Sequence, residues 1–210
     1  MIEIQRSSGY EAIVTSCLEL RFEWLADHWK HEFVSTGHCC SIPRVWSLEG
    51  GHSLDDPTRV SGPMYQQLDV KRDPDSGVVR ALLVGQAGPH HFSASFTVEE
   101  QSDGVAIDID VADRCASPVE ALAATYLIES SEADLHDSDG GPPTLSWSNP
   151  KSRLVFVAEP PSQVAATEAS LGSILLQALA KIDPAEKTHR FKYRWRWYNA
   201  PVHQIWDHTA

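Results

Sequence analysis

Cysteine, methionine and basic side chains are all scarce in this 210-residue chain, which has 4 Cys, 2 Met and 17 Lys+Arg against 29 Asp+Glu. Each shortage closes off a class of protein. Four cysteines in a chain of this length, two of them the vicinal pair Cys39-Cys40, do not make a disulfide scaffold, and reduced thiols are expected. The deficit of basic residues leaves a formal net charge of −12. That charge opposes both a double-stranded nucleic-acid footprint and an acidic membrane surface, because each needs a basic face. Long apolar runs are also missing. Segments such as Ile174-Leu175-Leu176 fall far short of the ~20 residues a membrane-spanning helix requires. The start, Met1-Ile-Glu-Ile-Gln-Arg6, lacks the basic and then apolar pattern of a secretory signal, so the expected compartment is the cytoplasm.

Catalytic signatures are absent as well. The chain contains no Cys-x-x-Cys, no His-Glu-x-x-His and no Gly-x-Ser-x-Gly. No cofactor is therefore expected, and whether the chain is an enzyme is left open. What is present is ordinary globular material: 42% apolar residues, 22% charged residues and seven Trp, enough to fill the core of one domain spanning residues 1–210.

Period-2 alternation is the dominant local pattern. Leu20, Phe22 and Trp24 interleave with Glu19, Arg21 and Glu23. After a turn at Leu25–His28, Trp29, His31 and Phe33 interleave with Lys30 and Glu32, which predicts a hairpin. Val78–Val84 is almost uniformly apolar, as in a central strand. Phe92–Val98 and Val105–Val111 alternate, the second with Asp108 and Asp110 on its wet face, and Leu145–Trp147 with Arg153–Ala158 predicts another hairpin. Residues 37–62 and 129–143 are rich in Gly, Pro, Ser and Asp and are expected as loops.

Two segments predict helices. Ser117-Pro118-Val119-Glu120 has the capping arrangement of a helix start, predicting a short helix from Pro118 to about Ile128. Leu171, Ile174, Leu175, Ala178, Leu179 and Ile182 recur at helical spacing and predict a longer one ending at Asp183-Pro184. The expected fold class is thus α+β: a mainly antiparallel curled sheet or partial β-barrel of about eight strands, packed with one long and one short helix.

The late segment Arg190–Tyr198 carries the candidate site. Phe191, Tyr193, Trp195 and Trp197 share one strand face; Arg190, Lys192, Arg194 and Arg196 share the other. Cations two residues apart on a strand lie about 7 Å apart, and at an effective dielectric near 20 each pair repels by roughly 2 kcal/mol. Such a row must meet water, neighbouring carboxylates or an anion. Glu19 with Glu23, or Asp108 with Asp110, are the carboxylates that could lie beside it. A phosphate- or carboxylate-bearing ligand held by Arg forks is the functional alternative.

The ten His raise the question of metal. No ligand spacing is recognisable and no metal site is expected, the weak alternatives being His31, His38, Cys39 and His52. His31 shares its face with Trp29 and Phe33, as a hydrogen-bonded core imidazole would. The function expected from these patterns is a non-catalytic ligand-binding or assembly module using the cationic strand face. It would take a small anionic ligand and could form a homodimer. The alternative is a hydrolase or phosphoryl-processing enzyme that binds a divalent metal through Asp108 and Asp110.

Overall fold

The alternating segments pair through tight turns into long antiparallel ladders. The computed structural model describes residues 2–36, 43–50, 60–129, 134–136, 144–149, 152–170 and 172–199, and among these there is no helix. One sheet is built from β1 (Glu3–Ser7), β2 (Tyr10–Val14), β3 (Leu18–Leu25), β4 (His28–Ser35), β5 (Val45–Leu48) and β6 (Val60–Ser61), together with β11 (Ala121–Ile128), β15 (Gln163–Ser170) and β16 (Ser173–Leu179). The other comprises β7 (Gln67–Arg72), β8 (Val79–Ala87), β9 (His90–Gln101), β10 (Gly104–Cys115), β12 (Asp134–His136), β13 (Thr144–Asn149), β14 (Ser152–Glu159) and β17 (Thr188–Asn199). Their strand orders are β1-β2-β3-β4-β5-β11-β16-β15, with β6 parallel to β11, and β12-β13-β14-β17-β10-β9-β8-β7.

The α+β expectation of one curled sheet or partial barrel of about eight strands packed with two helices is therefore corrected to an all-β fold of two sheets, and both expected helices are strands. The segment Pro118–Ile128 contains β11, which is paired on both sides and carries buried side chains on both faces, including Leu122, Ala123, Tyr126 and Ile128. A run that is apolar on every side satisfies a buried strand as well as a helix. The supposed helix at Leu171–Ile182 contains β16, in which Leu176 and Ala178 are fully buried while Leu175 on the other face is nearly so. Leu171 lies outside the described residues. Apolar residues on both faces of one strand produced the apparent helical stripe. The hairpin Glu19–Phe33 is present as β3 and β4, with Phe22 opposite His31 and Trp24 opposite Trp29.

The two sheets meet through their aromatic faces. Phe22 of β3 packs edge-on against Phe96 of β9 with 5.7 Å between centroids, and Phe33 of β4 lies 5.5 Å from Trp195 and 5.2 Å from Trp197 of β17. Trp195 also meets Tyr126 at 5.4 Å and Phe156 at 4.7 Å. Each such ring removes some 150–250 Å² from water, so β17 supplies much of the shared core. Gly104 lets β10 approach β17: a Cβ there would stand 1.7 Å from the Trp197 carbonyl oxygen. The register that results sets Asp108 opposite Arg194 and Asp110 opposite Lys192. On the other flank of β17, Glu159 of β14 stands opposite Lys192.

Candidate functional site

Because β17 is flanked by β10 and β14, its outward side chains meet carboxylates from both neighbours. Asp110 takes a two-pronged contact from Arg190, with Nε donating to Oδ1 at 2.6 Å and Nη2 donating to Oδ2. Lys192 Nζ lies 3.2 Å from the same Oδ2. Arg194 donates from Nε to Asp108, and its Nη2 stands 3.6 Å from Glu159 Oε1. Arg196 donates to the Tyr198 hydroxyl at 3.2 Å, and its buried Nε meets no hydrogen-bond partner among the described residues. Of the carboxylates proposed from sequence, Asp108 and Asp110 lie beside the row; Glu19 and Glu23 belong to the other sheet.

These contacts set the charge states. Partial burial pulls the Asp110 carboxyl upward, but hydrogen bonds from Arg190 and Lys192 outweigh it and hold the group below its ordinary range. The hydrogen bond to Asp110 raises Arg190, and that to Asp108 raises Arg194. All three groups are ionised at neutral pH.

Above the ion pairs runs an open groove of about 270 Å³, lined by Ser95 and Thr97 of β9, Asp108 and Asp110 of β10, Glu159 of β14, and Lys192 and Arg194 of β17. Its floor is four adjacent strands, so every group is mounted on rigid backbone. Across the groove the chemistry is ordered in columns: hydroxyls, carboxylates, cations and one further carboxylate. Two cations and three carboxylates line it, so the groove is mixed in charge, not plainly basic. Lys192 keeps about half its side chain in water, at 46% exposure, and Arg194 keeps 31%. Arg190 and Arg196 lie outside the groove lining on the same strand face.

A second polar assembly is buried between the sheets, and sequence reasoning found only one member of it, His31. The ring Nε2 of His31 lies 2.9 Å from the Tyr126 hydroxyl, which lies 2.7 Å from the Tyr193 hydroxyl, so the contact passes from one sheet to the other. On its far side His31 Nδ1 stands 3.2 Å from Glu49 Oε1, and Ser47 Oγ donates to that oxygen at 2.7 Å. Burial pushes the phenols of Tyr65, Tyr126 and Tyr193 well above their usual range, keeping them protonated and able to donate. The cleft beside them has about 10 Å³ of free space, room for roughly one water molecule. That is too little for a substrate, and the network ties the sheets together. His31 is thus held by core tyrosines and Glu49. His38, Cys39 and His52 lie outside the described residues.

At another end of the interior, the fully buried Asp113 accepts from His90 Nδ1 at 2.7 Å. His189, its neighbour on β17, donates from Nε2 to the Asp183 carbonyl at 3.1 Å. Among the described residues no group of three or more His, Cys, Asp or Glu side chains is arranged to hold a metal ion. Nor is any helix among them long and apolar enough to cross a membrane.

Neither the known protein-family models nor the curated proteins offer a match to this chain.

Proposed function

We propose that this protein is a non-catalytic binding module that seats a small ligand in the outer groove over β9, β10, β14 and β17. The observation that carries the reading is the ordered juxtaposition of Lys192 and Arg194 with Asp108, Asp110, Glu159, Ser95 and Thr97 along one rigid groove. Its mixed charge favours a ligand bearing both an anionic group and hydrogen-bond donors. The guanidinium and ammonium would meet a phosphate or carboxylate, while the carboxylates accept from hydroxyl or ammonium groups. A bare inorganic anion would satisfy only half of the site. Double-stranded nucleic acid is a poor fit to a chain of net charge −12. A cytoplasmic setting accompanies the reading, supported by the buried Cys115 thiol, which forms no disulfide among the described residues.

Thermal unfolding in the presence of inorganic phosphate, an amino acid, and a hexose phosphate tests this directly. A ligand present at 100 times its dissociation constant adds about 2.7 kcal/mol of stability. The hexose phosphate or the amino acid is expected to raise the midpoint, inorganic phosphate less so, and Arg194→Ala to abolish the rise. No shift with any of the three would count against the groove as a ligand seat.

The phosphoryl-processing alternative fits less well. Asp108 and Asp110, the carboxylates that would hold its metal, are turned into contacts with Arg194, Arg190 and Lys192.

A further inference from the structure

Sheet edges carry unpaired backbone amides and carbonyls, and folded chains blunt them with charge, proline, bulges or covering groups. Among the described residues the two strand orders end at β1, β15, β12 and β7, and three of these ends are treated in such ways. β1 and β7 are closed against each other by guanidinium groups: Arg6 Nη2 donates to the Val70 carbonyl, and Arg72 Nη2 donates to the Ile2 carbonyl. β12 is only three residues long. The fourth edge, β15, runs for eight residues and pairs with β16 on one side alone among the described residues.

We propose that β15 is the seam of a homodimer, pairing antiparallel with β15 of a second copy about a two-fold axis at Ala165. Three observations favour a second copy over an unrelated partner. The stretch Gln163-Val164-Ala165-Ala166-Thr167 contains no charge and no proline, two of the devices that guard an edge against self-pairing. Its sequence is self-complementary about Ala165. Gln163 falls opposite Thr167 of the other copy and Val164 opposite Ala166, with a small residue where the two strands cross. Residues 163–179, the whole β15–β16 hairpin, contain a single charged residue, Glu168, in a chain that is 22% charged. Two copies each carrying −12 repel one another, and contact is least costly where the surface is neutral.

The seam has natural ends. Pro160-Pro161 precedes it, and a register shift between Glu168 and Ser170 disrupts the strand beyond it. Pairing would join the two β15-bearing sheets into one continuous sheet. A five-residue ladder gives a weak dimer whose population rises with concentration.

Sedimentation velocity over a range from micromolar to several hundred micromolar tests the seam. The wild-type chain is expected to move from its monomer mass of 23.2 kDa towards twice that value. Gln163 and Thr167 are both exposed, so charges there leave the fold intact. Gln163→Lys with Thr167→Lys sets lysine against lysine at both ends of the seam and is expected to weaken dimerisation at least tenfold. Gln163→Lys with Thr167→Glu sets lysine against glutamate in the same register and is expected to restore it. A wild-type chain that stays monomeric at every concentration would overturn the proposal. So would a double-lysine variant that dimerises as well as the wild type, or a lysine–glutamate variant no better than the double lysine.

Discussion

The two faces of β17 share one backbone and differ in everything else. Inward, Phe191, Tyr193, Trp195 and Trp197 are almost completely buried; outward, Arg190, Lys192 and Arg194 meet water and carboxylates, and Arg196 donates to the Tyr198 hydroxyl. The inner residues contribute through area removed from water and close aromatic packing, which cannot be supplied piecemeal. The outer residues contribute through ion pairs whose desolvation is slight and whose net worth is small. A face that adds little to stability is a face on which charge can be arranged at little cost to the fold.

The largest expected effect lies on the inner face. Trp195→Ala removes the ring that touches Phe33, Tyr126, Phe156 and Trp197. It is expected to cost about 3–5 kcal/mol, measured as a fall in the denaturant midpoint with little change in slope. Next comes the polar link inside that face. Tyr193→Phe deletes the hydroxyl 2.7 Å from Tyr126 and is expected to cost about 1 kcal/mol, while Glu49→Gln, which alters a buried carboxylate beside His31, is expected to cost about 1–3 kcal/mol.

The contrast between the faces follows how legible each was in the sequence. Alternation in Arg190–Tyr198 and Val105–Val111 declared both strands and which side was wet, because one face is uniformly apolar and the other carries the charged residues. Of the two expected helices, Pro118–Ile128 rested on the Ser117-Pro118-Val119-Glu120 capping arrangement, which in the folded chain precedes strand β11, and Leu171–Ile182 on apolar residues that occupy both faces of β16 and so mimic a helical stripe. The outer site was half legible. The cations, and Asp108 with Asp110 as one of two carboxylate pairs, were legible as polar strand faces, whereas the pairing of β10 with β17 and the entry of Glu159, Ser95 and Thr97 depend on strand order. The buried network was hidden for the same reason. His31, Ser47, Glu49, Tyr126 and Tyr193 come from separated segments, and nothing in the local pattern around Glu49 or Tyr126 distinguishes them from ordinary strand residues.

Smaller effects belong to the outer face. Asp110→Asn breaks the contacts to Arg190 and Lys192 and is expected to cost a few tenths of a kcal/mol at neutral pH, because both partners are largely in water. The sign of its pH dependence is fixed. A carboxyl held below its ordinary value of 3.8 stabilises the fold above that pH, and the contribution is lost as the pH falls through the folded-state value. Wild type is therefore expected to lose slightly more stability than Asp110→Asn on acidification below pH 3.8, as read from urea unfolding at a series of acid pH values. Raising the salt concentration is expected to narrow that difference.

Arg194 and Trp195 are chain neighbours on opposite faces, and comparing their alanine variants tests the division most directly. For each variant the unfolding free energy is measured without ligand, and the thermal shift is then measured with a hexose phosphate. The expected result is that Arg194→Ala stays within about 0.5 kcal/mol of wild type but loses the ligand-induced shift, while Trp195→Ala loses several kcal/mol. An Arg194→Ala variant that unfolds as readily as Trp195→Ala, or that keeps the full shift, would contradict the separation of the two faces.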